Sequence, residues 1–437
     1  MRPKFLFCFA LVLGGGFFGC SGAEQPVFPG IGGTHSPCGA MVFTDGTLYG
    51  TTSADTDYWK PGGGAVFKVK ANGKGFAILH HFAPVPHGTN CDGSVPMAGL
   101  VRAGKTLYGT TSEGGAAGCG TIFKVDTDGR SFTVLHSFKS GEGVHPLGLV
   151  LSGNRLYGTT QFGGGGTTNG GVVFKVDTDG ADFAVLHTFG KLEVHDLTNN
   201  DGAFPHAGLV LSSNTLYGTT WSGGIGGRGT IYKVNIVGSD FSVLHSFSKG
   251  AYGRDHLGRS TSQVCNRDGA YPEAGLILWE NELYGTASAG GDTGNGTIFK
   301  IATEGIGFTV LHGFAANGVS LAGGFIPSGD GSNPRGLVAS GNTLYGLSAT
   351  GGKPGQGTVF TLSTDGNGFS ILHHFGEQSS DGAHPEGLIW SGDALYGVAI
   401  SGGKNAGGTV FKMGVNSSGV TILHSFLELP LPGSLTD

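Results

Sequence analysis

Four ionisable side chains stand at equivalent places of a repeating chain: His206, Glu273, Arg335 and Glu386. Each follows a proline that opens a short apolar segment, and the other equivalent places hold Cys38, Met97 and Leu147. Recurring residues build a repeat, whereas residues that depart from it at equivalent sites are free to serve function. Arg335 carries the sharpest expectation, because its planar fork can hold a carboxylate or a sulfate in two parallel bonds. Glu273 and Glu386 lie two repeats apart with Arg335 between them, an arrangement able to bind an anionic sugar and, as a pair, to do acid–base work on one. A second set of non-repeating residues is Ser112, Gln161, Trp221, Ser288, Ala349 and Ile400, with Glu113 and Phe162 adjacent. The first repeat instead inserts Asp55-Thr56-Asp57-Tyr58-Trp59. Tyr58, Trp59, Phe162 and Trp221 are aromatics suited to stacking on sugar rings or anchoring a partner, with ordinary loop packing as the competing reading.

Other chemistry-bearing residues read as architecture. Histidine recurs in a Leu-His-x-Phe phrase or close variant at His80, His136, His187, His245, His312, His373 and His424. Alternation along one such segment puts Phe132, Val134, His136 and Phe138 on one face, which makes the histidine a satisfied core residue and not a metal ligand. An acid-Gly-x-x-Pro phrase occurs at Asp92, Glu142, Asp201, Asp268, Asp330 and Asp381. Its acid suits an Asx-type turn, and its proline sets the entry to the next segment. Asp126-Thr127-Asp128-Gly129 resembles a calcium-loop fragment, but Lys70-Ala71-Asn72-Gly73 replaces it in the first repeat, so it reads as a hairpin turn. The Gly-Gly-x-x-Gly-x-Gly loops are followed by no helix and are not nucleotide fingerprints. No metal set, cofactor motif or nucleophile–base pair stands out, so no catalytic residue is assigned.

The elements that must position these groups come from one four-part phrase in seven copies. Leu-Tyr-Gly places a tyrosine at Tyr49, Tyr108, Tyr157, Tyr217, Tyr284, Tyr345 and Tyr396. A small residue precedes each tyrosine by 9 positions, from Ala40 to Gly387, and an aromatic residue precedes each histidine by 13, from Phe67 to Phe411. Each part reads as a short β-branched or aromatic strand. The constant links are tight hairpins such as Ser152-Gly153-Asn154 and Asp128-Gly129. Four antiparallel strands repeated seven times describe an all-β protein, a seven-bladed β-propeller of four-stranded antiparallel blades. With strands a to d counted from the channel outwards, the links of constant length are a-b and c-d. The variable ones are b-c and d-a, which a meandering blade brings to the same face. A face that collects all length variation is often the binding face.

The phrase Ala-Gly-Leu-Val, Thr-Leu-Tyr-Gly-Thr-Thr, Gly-Thr-Ile-Phe-Lys-Val, Asp-Gly, Val-Leu-His-Ser-Phe resembles the GloVer tandem repeat. The resemblance covers about residues 37–426 and implies a bacterial exported protein, often surface-attached. It supplies no activity and no catalytic residues. The chain ends at Leu429-Pro430-Leu431-Pro432-Gly433 and a few polar residues, which is not a sorting tail of the kind some relatives carry.

Composition narrows the setting. The 437 residues include 87 glycines, 13% charged residues and a net charge of −6. An acidic chain without basic clusters argues against nucleic acid and anionic membrane surfaces as partners. Arg2, Lys4 and the short apolar run Phe5 to Phe18 read as a secretion signal. Two processing sites fit: Ser21-Gly22-Ala23, and a lipoprotein-like Phe17-Phe18-Gly19-Cys20-Ser21-Gly22 with Cys20 lipidated. The expected organisation is signal 1–20, linker 21–36, propeller 37–426 and tail 427–437, in a monomeric exported protein. Cys38, Cys91, Cys119 and Cys265 remain after export. Cys91 and Cys119 fall on same-face links of blade two and are the expected disulfide, with Cys38 the rival partner for either. The function expected is an exported, surface-attached module that recognises a glycan or protein through its variable face. The alternative is a propeller lyase or hydrolase acting on polysaccharide, with Glu273, Glu386 and His206 at the mouth.

Overall fold

A computed structural model of the chain describes residues 36–53, 63–85, 88–165, 170–193, 195–254, 260–316, 318–319, 325–415 and 419–427. The repeats form seven four-stranded antiparallel sheets, each in the order a-b-c-d. Blade 1 starts at Pro37, and the later blades start at Val101, Val144, Val210, Ile277, Ser332 and Ala383, with the last strand ending at Leu427. The expected seven-bladed β-propeller is thus the observed architecture, and no helix occurs among the described residues. Two variable d-a links carry small hairpins of their own, Ala251–Arg254 with Ser260–Cys265 and Gly318–Val319 with Phe325–Ile326. The signal, the linker up to residue 35 and Cys20 lie outside the described residues.

The repeated phrase folds as it does because of one steric fit inside each blade. The glycine of Leu-Tyr-Gly on strand b is paired directly with the aromatic residue of strand c: Gly50 with Phe67, Gly158 with Phe174, Gly218 with Tyr232. A Cβ on Gly50 would come within 2.7 Å of the Phe67 ring, and one on Gly158 within 2.6 Å of Phe174. The ring lies across the space a side chain would fill, an aromatic covering a strand glycine.

These rings are the centres of seven apolar clusters, one between each pair of neighbouring blades. Leu79 and Phe82 of blade 1 meet Leu107, Phe123 and Val125 of blade 2, and the pattern recurs round the ring. The seventh cluster joins Met41, Leu48 and Phe67 of blade 1 to Tyr396, Val410 and Phe426 of blade 7. That seam closes the propeller by side-chain packing between two complete blades, with no strand exchanged among the described residues.

Histidine adds a clamp to most interfaces. His80 lies flat on Phe132 of the next blade, with ring centroids 3.5 Å apart, and His136, His187, His245 and His312 repeat the stack on Phe183, Phe241, Phe308 and Phe369. The ring Nε2 of the same histidine meets the acid of the acid-Gly-x-x-Pro phrase that follows it: His80 with Asp92 at 3.1 Å, His187 with Asp201 at 3.3 Å, His373 with Asp381 at 3.1 Å. All six acids are used in this way. Most also accept a backbone N–H from the chain leaving strand d, as Asp201 does from Gly190 at 2.9 Å. The acid that the sequence assigns to a turn therefore also ties the d-a link to the histidine. Burial works to raise the Asp268 and Asp330 carboxyls, yet hydrogen bonds from His245, His312 and nearby serines hold both below the ordinary carboxylate value.

The simple alternation expected for strand d is corrected by a bulge. Strand c pairs Ile122 with His136 and then Phe123 with Val134, so Leu135 is the extra residue. The same register shift occurs in all seven blades. It puts Phe132 against Phe82 and Phe123 on one side, while His136 and Phe138 turn to Phe183 on the other. One inserted residue reverses the face of everything beyond it.

Two outcomes follow. Gly158 has ordinary backbone geometry for a side chain, so Gly158→Ala acts through the Phe174 ring and should cost about 1–3 kcal/mol of stability in urea unfolding. An unchanged midpoint would remove the steric account. At the seam, His424 stacks on Phe76 with centroids 3.7 Å apart and has no acid partner among the described residues. Burial pushes its pKa down to about 4 from the usual 6.5. The stability gained from burying the neutral ring is complete above about pH 6.5 and is lost as the pH falls towards 4. Melting followed over that window should show His424→Phe less acid-sensitive than the parent chain, and equal sensitivity would refute the assignment.

Candidate functional site at the channel mouth

Strands a approach one another round the axis, and in part of the ring a Cβ on the small residue would not fit. A Cβ on Gly148 would lie 3.0 Å from the Gly208 Cα, and one on Gly99 would run into the Ala40 carbonyl. Across the same part of the ring, threonines of strand b reach the next strand a: Thr51 donates to the Ala98 carbonyl, Thr110 to Leu147 and Thr159 to Ala207, each at 3.0 Å. Blades 5 and 6 depart from this. The equivalent threonine hydroxyls, Thr219 and Thr286, are buried without a partner, as is Asn333 Oδ1. A Cβ on Gly275 would meet nothing nearer than 3.7 Å, and one on Gly336 nothing within 4 Å. The axial ring is closed on one side and looser on the other.

The looser arc carries the residues singled out from the sequence. Glu273 Oε2 lies 2.5 Å from Arg335 Nη1, and Glu273 Oε1 accepts from Trp221 Nε1 at 3.3 Å. His206 Nε2 lies 2.5 Å from Gln161 Nε2, so the neutral imidazole accepts from the amide. The two non-repeating sets thus meet: the residue opening the b-c loop of one blade reaches the residue that follows the proline of the next. Gln161 serves His206 and Trp221 serves Glu273. Two places further round, Ala349 is too short, and the Glu386 carboxyl has no hydrogen-bond partner among the described residues.

Electrostatics follow from this geometry. Burial pushes Glu386 above the ordinary carboxylate value, opposed by Arg335 and assisted by Glu273. Burial lowers His206, against the attraction of Glu273 and with the repulsion of Arg335. Cys38, whose thiol donates to the Pro96 carbonyl at 3.0 Å, is pushed up to about 12 by burial and by Glu386. The mouth therefore holds one ion pair, one carboxyl biased towards its neutral form, a neutral imidazole and a neutral thiol.

Not every candidate is placed here. Trp59, with Tyr58, lies outside the described residues. Trp221 stacks on His206, at 5.8 Å, and on Tyr271, at 4.9 Å, so indole surface that a sugar would use is already taken within the protein. Phe162 is likewise packed edge-on to His145 and Phe204. The expected Cys91–Cys119 bridge is not formed. Cys91 keeps a free thiol on the surface, whereas Cys119 is wholly buried in the apolar cluster between blades 2 and 3. Cys38, the rival partner, is also a free thiol.

Sequence reasoning missed one ring. The residue before the strand-entry proline is left-handed in six blades: Val95, His145, Phe204, Tyr271, Asn333 and His384, with φ from 54° to 58°. The strain recurs because the kink joins three segments. Phe204 donates its N–H to Gly170 of the preceding blade at 2.7 Å, and its carbonyl accepts from Trp221 at 2.9 Å. The available signal was the constant offset from proline, hidden by side chains as unlike as valine and tyrosine.

The comparisons agree with this architecture. The sequence profile of the Gloeobacter/Verrucomicrobia repeat matches residues 27–195, 193–329 and 323–430. The chain belongs to that family. No curated protein matches this family member in sequence. Among solved structures, a puromycin-hydrolyzing peptidase of Mycobacterium tuberculosis is similar at TM-score 0.53 and 11% identity, over 92% of this chain and 55% of that one. A puromycin hydrolase is similar at TM-score 0.51 and 10% identity, over 91% of this chain and 55% of that one. The repeat protein therefore spans about half the length of each, and such low identity shows the propeller fold alone.

The thiols give a direct check on the mouth. A maleimide reagent at neutral pH should label Cys91 rapidly and Cys38 hardly at all, since thiolate and not thiol is the reactive form. Mass spectrometry showing both labelled at one rate would contradict the buried placing of Cys38.

Proposed function

We propose that this member of the Gloeobacter/Verrucomicrobia repeat family is an exported binding module, attached to the cell surface through its N-terminal segment, that recognises a glycan or a protein with its variable face. One observation carries the reading. The ionisable residues that break the repeat, His206, Glu273, Arg335 and Glu386, gather on the arc where the axial ring is loosest, at the face that carries the b-c and d-a loops. Blade-building positions repeat, and this arc does not. Export is supported by Arg2, Lys4 and the apolar run after them, and lipidation by Cys20.

A second reading has one observation in its favour. Glu386 is biased towards the protonated form while Glu273 sits in an ion pair, and two carboxyls in different states are what acid–base cleavage of a polysaccharide requires. The likeness to hydrolases adds nothing to it, since it shows only the fold.

One experiment separates the two. The full chain is screened on glycan and envelope-protein arrays, and each captured polysaccharide is then incubated with it and analysed for new ends. The binding reading expects capture without cleavage, and capture that is lost when Trp221 and Gln161 are replaced together. Released products would favour the enzyme, and no capture on either array would overturn the binding reading.

A further inference from the structure

We propose that the open arc of the mouth is a proton-linked anion site, in which a carboxylate or sulfate group of an acidic saccharide seats between the unused donors of Arg335 and the carboxyl of Glu386. The inference rests on the binding reading above and adds the ligand's chemistry and its pH dependence.

Glu273 is spent: its two oxygens are taken by Trp221 and Arg335. Arg335 is only partly spent. Its Nη1 faces Glu273, its side chain is 28% exposed, and its remaining nitrogens meet no acceptor among the described residues. A guanidinium with an unused edge is a bidentate anion donor. Glu386 is the neighbouring first-ring residue, and Ala349 leaves it without the partner that Gln161 and Trp221 give His206 and Glu273. Space and unmet polarity coincide there, with nothing within 4 Å of a Cβ on Gly336 and with Thr286 Oγ1 and Asn333 Oδ1 unpartnered.

The sign of the ligand follows from the charges. A cation would sit beside Arg335 and gain nothing from a protonated Glu386. An anion accepts from the guanidinium and from the Glu386 O–H together. The charged and titratable groups facing Glu386 are Arg335 and Glu273 from blades 6 and 5 and the Cys38 thiol from blade 1. His384, on its own strand, is turned to the Ala349 carbonyl at 2.9 Å. Of these, only Glu386 itself must gain a proton. When it is ionised it repels the anion and draws on Arg335, so binding from that state takes up one proton from solvent. Affinity should therefore fall as the pH rises.

The test is calorimetry on the full chain with trigalacturonate and, in a parallel arm, inorganic sulfate. The arms distinguish a carboxylate from a sulfate as the group seated. Binding of at least one is expected, about tenfold or more tighter at about pH 5.5 than at about pH 8, with proton uptake read from buffers of different ionisation enthalpy. Glu386→Gln keeps a donor and loses the proton, so it should bind at both pH values with the pH dependence gone. Arg335→Lys should weaken binding about tenfold, because a point charge replaces the fork. Circular dichroism confirms that each variant is folded. Failure of both probes to bind at the lower pH overturns the anion site. Binding with unchanged pH dependence in Glu386→Gln overturns the proton linkage. An array ligand that ignores pH and both substitutions overturns this inference and leaves the binding reading standing, whereas failure of that reading shows as no capture at all.

Discussion

A missing methyl group governs this protein. Each strand b gives up its side chain at one glycine, and the aromatic ring of strand c lies in the vacancy. That ring is then held at one height above the sheet, where it meets the phenylalanine ending strand d of the preceding blade. Phe82 against Phe123, 5.1 Å apart and edge to face, is the first such meeting, and Phe375 against Phe411 is another. Burying a phenylalanine contributes about 1.5–3 kcal/mol. Several per interface dominate what holds one blade to the next, and the glycine makes the fit possible. The histidine stack and the acid clamp use the same geometry, for they too depend on where the strand d residues stand relative to the neighbouring sheet.

Much of this was legible in the chain. Fixed spacings of 9 and 13 residues exposed the strands and their hairpins, and the location of variable lengths exposed the face. What stayed hidden was pairing between phrases. The histidine reads as a core residue and the acid as a turn residue, and each reading is incomplete without the other. Nothing in sequence order says that His245 meets Asp268 across 23 residues of d-a link, because folding in three dimensions sets that contact. The strand d bulge was also invisible. An extra residue carried in every copy is indistinguishable from a longer strand, so the alternation rule misassigned Phe132 relative to His136.

The mouth was half legible. Departure from the repeat identified His206, Glu273, Arg335 and Glu386, and these do share the mouth. It did not show that the second set of non-repeating residues supplies their partners. Trp221 has the type of a ligand platform and the position of a brace, stacked on His206 and Tyr271 and bonded to Glu273. Glu386 is distinguished by what its neighbour lacks, and alanine at 349 would attract no notice in a search for chemistry. Proximity of two links in sequence says nothing of which way their side chains turn, and Cys91 and Cys119 turn to solvent and to core.

The bulge before each histidine has a consequence at the outer rim. Among the described residues every strand d ends its sheet with an unpaired edge of backbone amides and carbonyls, and such edges are templates for another chain to extend the sheet. A strand with an extra residue coils more tightly and offers no continuous register to an incoming strand. The device that aims histidine at the next blade therefore also guards the perimeter against fibril-like association, which matters most in a chain so rich in β-branched and aromatic residues.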